Sequence, residues 1–374
     1  MAHPDPIPLF FAAAVNAGMD LATAVQQVLD SHWYVLGQQV QGFESEFARY
    51  IGTEHCVSVA NGTDALELAL RAVGVTPGDK IVAVANAGFY GSTAIHAIGA
   101  VPLYADVEEA TLTLSPVALE QALASRPAAV IVTHLYGQMA DMPALSALCE
   151  RAGVPLIEDC AQAHGAVLAG RKAGSWGQLG CFSFYPTKNL GALGDGGAIT
   201  TGDAALAAGL RTLRQYGWSH KYTVAVPGGR NSRLDEMQAA ILRVKLPLLD
   251  AQNAQRRHIA ARYNQAFAAL PLQCPPSVNG DYAAHLYVVR SPQRDALRAF
   301  LQTYGIATDV HYPIADHHQP AYPHAHLMGA LEVTQAACAG VVSLPCYPGM
   351  VQTDVDRVIG AVQAFFLQDK GMAC

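Results

Sequence analysis

The sequence predicts an α/β fold: a mostly parallel seven-stranded sheet with helices on both faces, followed by a smaller C-terminal α+β domain. Three observations predict it. Between residues 56 and 201, short apolar runs alternate with helical stretches, the pattern of a parallel sheet with helical crossovers. Those runs are apolar throughout rather than at every second position, as strands covered on both faces are. Finally, 374 residues are too many for one ordinary core and suggest two domains, divided here as 1–248 and 249–374.

Composition narrows the class. Hydrophobic residues make up 51% of the chain and charged ones 14%, enough apolar material for a large core and too little charge for disorder. A net charge of −7 leaves no electrostatic footprint for nucleic acid. No window approaches the ~20 apolar residues of a membrane span. The first residues carry neither a basic patch nor a signal-like run, so the chain reads as soluble. Its 8 cysteines are scattered without a C-x-x-C pair, which suits reduced thiols in a cytoplasmic protein.

In chain order, an amphipathic helix is expected over about 18–30 and a second over about 41–50, with the aromatic pair Trp33 and Tyr34 between them as a possible core plug. The seven strands are 56–60, 81–85, 101–106, 128–133, 155–159, 181–185 and 197–201, with helices at 64–73, 115–124 and 142–152. Residues 202–250 are mostly helical, broken at 216–222 and 226–231. A long helical pattern then covers about 234–270, kinked at Pro247. The C-terminal part has strands at 285–290 and 307–311 and helices at 293–304 and 354–367.

Ligands of parallel sheets collect outside the carboxyl ends of the strands, where Asn61, Asp159 and Lys188 fall. Lys188 follows a buried strand and Pro186, which offers no N–H to a ladder. Gly191, Gly194, Gly196 and Gly197 after it let backbone pass close to a ligand or another segment. A lysine held among apolar neighbours loses its proton easily and serves as a nucleophile, usually toward a carbonyl. Pyridoxal phosphate needs such a lysine and a carboxylate on its ring nitrogen. Lys188 and Asp159 supply both. Asn61-Gly62-Thr63-Asp64 opens a helix and reads as a phosphate seat, Gly62 allowing close approach and Thr63 adding a hydroxyl. The competing reading makes Thr63 or Asp64 a helix cap. Ser183 is a further donor. Phe89 or Tyr90 could stack on the ring, with Tyr90 favoured, or either could be core. The histidine-rich stretch 311–326 has no helical i, i+4 pair and no cysteine partner, so no metal is expected.

The segments Ala60-Asn-Gly-Thr-Asp-Ala-Leu66, Glu158-Asp-Cys-Ala-Gln-Ala-His-Gly165, Ser183-Phe-Tyr-Pro-Thr-Lys-Asn-Leu190, Gly194-Asp-Gly-Gly197 and Asn231-Ser-Arg-Leu-Asp-Glu-Met-Gln-Ala-Ala240 resemble, in order, the DegT/DnrJ/EryC1/StrS sugar aminotransferases. The resemblance implies a fold-type I pyridoxal-phosphate-dependent transferase. It implies that Gln162 lies against the cofactor, and that Asn231 reaches the cofactor phosphate of a neighbouring subunit, making a homodimer with shared sites. By the same resemblance the N-terminal segment, residues 1 to about 50, borders the site entrance, and Tyr185, Lys221 and His311 orient the sugar or its diphosphate. L-Glutamate is the implied amino donor. The stretch 305–313 and the Asn231 motif look most like the branch that aminates 3-keto-6-deoxyhexoses linked to thymidine diphosphate. A 4-ketosugar aminotransferase, a dehydratase and a non-catalytic regulator are the alternatives. Lys188 argues against the dehydratase, since that branch carries histidine there.

Overall fold

The computed structural model describes residues 5–371. Its main sheet has eight strands. In spatial order they are His55–Val59, Gly197–Thr201, Leu179–Ser183, Leu156–Asp159, Ala129–Thr133, Lys80–Ala83, Val101–Tyr104 and His326–Leu327. Gly197–Thr201 runs antiparallel to both neighbours, and the other pairings are parallel. The seven expected strands are all present. The eighth corrects the count: His326–Leu327 joins the far edge beside Val101–Tyr104. Two residues are too short for periodicity to report, and the pairing is made by tertiary approach.

Both faces of the sheet are covered, as the unbroken apolar runs require. Val82, Val130, Val132, Leu156, Phe182 and Ala198 pack into one core, while Ile81, Ala83, Ala129, Ile131, Ile157, Cys181 and Ile199 pack into another. Alternate residues of the same strands therefore feed opposite layers. The first core centres on Phe43, Phe47, Phe182 and Phe184, whose rings meet edge to face at 4.9–5.4 Å. A third core draws on Ile7 and on residues between Ile259 and Phe366. Ile7 is tied there by backbone bonds to Gly305 and Ala307, so the start of the chain crosses to the C-terminal part.

Three local expectations change. Pro247 does not kink one helix. It sits in a 3₁₀ turn, Leu246–Leu248, between the helices Glu236–Lys245 and Leu249–Phe267. The expected strand at 307–311 forms only an isolated bridge, Asp309 to Ser343. The strand that pairs with Tyr287–Arg290 is instead Val341–Leu344. Trp33 and Tyr34 are 63% and 45% exposed, so they are no core plug.

The motif that follows Asn231 turns out to brace the frame of the site. Ser232 accepts from Ala60 N–H, Asp235 caps its own helix through Gln238 N–H, and Gln238 accepts from Leu193 N–H. Glu236, buried, accepts from Gly37, Gln39 and Val40 N–H at 2.8–2.9 Å. It caps the helix Gln38–Ile51 from another element, because Gly37 has no side chain to do so. Replacing Glu236 with Ala strands three N–H groups and should cost about 3 kcal/mol or more. Urea unfolding should show an earlier transition; an unchanged midpoint would mean that water caps this helix equally well.

Candidate active site

The carboxyl ends of the parallel strands open into two chambers that meet at Lys188. The larger, about 760 Å³, is lined by Asn61, Gly62, Thr63, Asp159, Gln162, Ser183 and Lys188 among others. The smaller, about 290 Å³, is lined by Leu9, Phe10, Thr187, Arg256, His285, His311 and Tyr312 among others. Tyr90, Gln162, Tyr185 and Lys188 belong to both.

Register explains the pairing of acid and base. Leu156–Asp159 and Leu179–Ser183 are adjacent and parallel, with Asp159 opposite Cys181, so both chains leave the sheet on the same edge. Asp159 is 7% exposed. It accepts from Ala161 N–H at 3.1 Å and Thr133 Oγ1–H at 3.3 Å, which leaves acceptor capacity toward the chamber. Its neighbour Glu158 points to the opposite side and is wholly spent. It accepts from Gly174, Trp176 and Gly177 N–H and from His134 Nε2. Because His134 Nδ1 accepts from Ala140 N–H, Nε2 carries the proton. His134, Glu158 and Cys160 gather ligand-type atoms within 4.8 Å, and the first two are already engaged in this network.

Lys188 stands in a tight turn. Its N–H returns to Tyr185 carbonyl at 2.8 Å, and Ala192 N–H returns to Phe184 carbonyl at 2.8 Å. A Cβ at Gly191 would meet the Pro186 carbonyl oxygen at 2.4 Å, so this glycine serves the turn itself. Buried Lys245 clamps the Gly191 carbonyl at 2.7 Å. Asn189 donates to Asn253 and to Ala283 carbonyl, both at 2.8 Å, and accepts from His285 Nδ1 at 3.1 Å. Lys188 Nζ itself donates to none of the described groups. Burial pushes its ammonium down to about 8, against the pull of Asp159. Burial likewise raises Asp159, partly offset by Ala161 N–H and Lys188.

The expected phosphate seat lies at the start of the helix Gly62–Ala72, and its cap differs from the expectation. Asn61, not Thr63 or Asp64, caps the helix Gly62–Ala72, accepting from Asp64 N–H at 2.8 Å. Gly62 has a packing reason, since a Cβ there would meet Ser183 Cβ at 2.6 Å. Thr63 and Ser183 face the chamber with the helix N-terminus. A ring acid, a free amine and an anion seat within one cavity fit pyridoxal phosphate.

Gln162 Oε1 accepts from Tyr136 N–H at 2.6 Å and its Nε2 donates to Tyr312 hydroxyl at 3.1 Å. Tyr90, at the first position of its helix, lines both chambers, whereas Phe89 packs on Tyr322 and His96 and lines neither. His311 reaches the smaller chamber, its Nδ1 2.7 Å from Ser343 Oγ. His164 is a packing residue against Phe182 and Phe184, driven down to about 3 by burial. Asn231 and Lys221 line neither chamber; both are exposed, Lys221 over the Tyr222 ring at 5.1 Å. Asn231 does not cap a helix, since Asp235 does. At the entrance the N-terminal segment contributes Leu9 and Phe10 rather than Trp33. Asn189, Arg256, His285 and Tyr312 went unnoticed in the sequence. Asn189, beside the lysine in the motif, is the one the pattern could have flagged.

Residues 16–363 match the DegT/DnrJ/EryC1/StrS aminotransferase family, and the chain belongs to it. A dTDP-3-amino-3,4,6-trideoxy-alpha-D-glucose transaminase of Streptomyces venezuelae is 44% identical over 343 residues, 91% of this chain and 90% of its own length. A dTDP-3-amino-3,6-dideoxy-alpha-D-galactopyranose transaminase of Aneurinibacillus thermoaerophilus is 44% identical over 92% of this chain and 95% of its own. The crystal structure of S. venezuelae DesV in complex with a ketimine intermediate superposes with a TM-score of 0.93 at 42% identity, over 97% of this chain and 99% of that one. The protein is a pyridoxal-phosphate-dependent aminotransferase.

Three outcomes test the site. Because Lys188 titrates near 8 rather than 10.5, cofactor capture by the cofactor-free enzyme should speed up roughly tenfold per pH unit below that value and level off above it. A profile flat across that range in stopped-flow absorbance would refute the depressed amine. Lys188→Ala should lose the visible band of the bound cofactor, and Asp159→Asn should lower kcat at least about 100-fold while cofactor still binds.

Proposed function

We propose that the enzyme moves the amino group of L-glutamate to carbon 3 of a nucleotide-linked 3-keto-6-deoxyhexose, most simply the thymidine diphosphate sugar, yielding the 3-amino-3,6-dideoxyhexose. The observation that carries this reading is the unbonded Lys188 amine at the junction of two chambers, supported by relatives named as dTDP-3-aminosugar transaminases. Pyridoxal phosphate, when bound, supplies the electron sink for the carbanion.

The chain's own residues do the rest. Gly62, Thr63 and Ser183 hold the phosphate at the helix N-terminus. Asp159 keeps a proton on the ring nitrogen. Gln162, fixed by Tyr136 and Tyr312, and Tyr90 would hold the ring between them. With the cofactor bound, Lys188 would be the base that takes the proton from the donor's α-carbon and the acid that gives it back. It does so again in the opposite sense with the sugar. An amine titrating near 8 can play both parts close to neutrality. His311 and Tyr185 orient the sugar.

We read the working unit as a homodimer. Asn231 and Lys221 are exposed in their own chain and would complete the partner's site, at the phosphate and the sugar diphosphate respectively. Tyr216, Tyr222 and Val224, 39%, 78% and 63% exposed, supply apolar surface beside them for a second copy. Residues 1–248 are the cofactor-holding domain and 249–374 the smaller domain, a division supported by the third core, whose buried residues apart from Ile7 all fall between Ile259 and Phe366. A cytoplasmic location suits the free cysteines among the described residues; no described helix is long and apolar enough to cross a membrane.

Incubating the enzyme with L-glutamate and 3-keto or 4-keto nucleotide sugars, then locating the new C–N bond by NMR, tests the assignment. Amination at carbon 3 is expected. Amination at carbon 4 alone would replace this reading with the 4-ketosugar one, and no amination with either would remove the sugar assignment.

A further inference from the structure

Arg256, on the helix Leu249–Phe267, is 2% exposed and forms no ion pair with any described residue. One nitrogen makes all its contacts: Nη1 donates to the carbonyls of Cys346 at 2.7 Å, His285 at 3.3 Å and Ala284 at 3.5 Å. Nε is buried without a partner, and Nη2 donates to no described group. A guanidinium withdrawn from water normally meets a carboxylate, because carbonyl dipoles alone replace only part of its hydration. Here Arg256 instead lines the smaller chamber, which Lys188 also lines.

We propose that Arg256 binds the carboxylate of the amino donor, setting its amine toward the Lys188 end of the chamber. This rests on the transaminase reading above. The remaining groups fit it. His285 gives its Nδ1 proton to Asn189, and burial together with the Lys188 and Arg256 charges drives it well below its usual range. It therefore stays neutral and adds no competing charge. Asp309, the one acid lining the chamber, is turned outward, 61% exposed and 3.8 Å from His311. A chamber of about 290 Å³ is at the small end of ligand sites, with room for an amino acid or for the hexose ring that His311 orients, and too small for a whole nucleotide sugar. Free donors on a planar fork match a carboxylate.

The test uses cofactor-loaded enzyme and the variants Arg256→Met and Arg256→Lys. Glutarate binding is measured by calorimetry. Bleaching of the visible band is followed with L-glutamate and, separately, with the aminated nucleotide sugar. In Arg256→Met, glutarate affinity and half-saturation by glutamate should each worsen about 30-fold or more. Arg256→Lys, which keeps the charge without the fork, should lose less. Half-saturation by the amino sugar should stay within about twofold in both. Should Arg256→Met fail to load cofactor, Arg256→Lys decides, by a donor-only loss. Unchanged glutamate saturation, or equal loss toward glutamate and amino sugar, would overturn the proposal. If wild-type enzyme binds glutarate through Arg256 yet aminates no ketosugar, the sugar assignment falls and the carboxylate site stands.

Discussion

Burying one amine without neutralising it by contact is the constraint on which this architecture turns. Lys188 must stay close enough to Asp159 to share a ring with it, yet far enough that the two do not pair directly. Adjacent parallel strands meet that requirement. Asp159 ends one strand, while Lys188 lies five residues beyond the end of its neighbour, Leu179–Ser183, and the intervening turn sets the separation. The turn is rigid because Lys245 and Asn189 hold it from outside. Desolvation then depresses the lysine more than the aspartate raises it, which keeps a nucleophile available near neutral pH.

The chain spends its buried carboxylates in two different ways. Glu158 and Glu236 accept every nearby N–H and so anchor, respectively, the 174–177 loop and the Gln38–Ile51 helix. Asp159, one residue from Glu158, keeps a lone pair unspent. The two-residue period of a strand accounts for the difference, sending neighbours to opposite faces. Arg256 is the cationic counterpart of Asp159: buried, partly satisfied and facing a cavity.

Much of this was legible beforehand. Seven strands could be read because strands covered on both sides are apolar end to end, and the lysine, aspartate and phosphate seat sit at fixed offsets from them. Less local features were not. The two-residue strand His326–Leu327 carries no periodic signal, and Val341–Leu344 was not read as a strand, whereas the expected strand at 307–311 makes only one bridge. The cap on Gly62–Ala72 went to Asn61 because its side-chain Oδ1, one residue before the helix, is the one that meets Asp64 N–H. Phe89 and Tyr90 were both open as ring partners, with Tyr90 favoured, and the tertiary structure separates them by turning Tyr90 to the chambers and packing Phe89 on His96 and Tyr322.

The order of residues alone determined which side chains could do the chemistry, since an amine and a carboxylate after consecutive buried strands must emerge on one sheet edge. Tertiary structure decided what surrounds them. Asn189, His285 and Arg256 meet through segments from 189 to 346, and no local pattern encodes such a convergence. Sequence records the reach of hydrogen bonds within a turn or a helix; it does not record which distant carbonyl a buried guanidinium will face, and that facing shapes the second chamber.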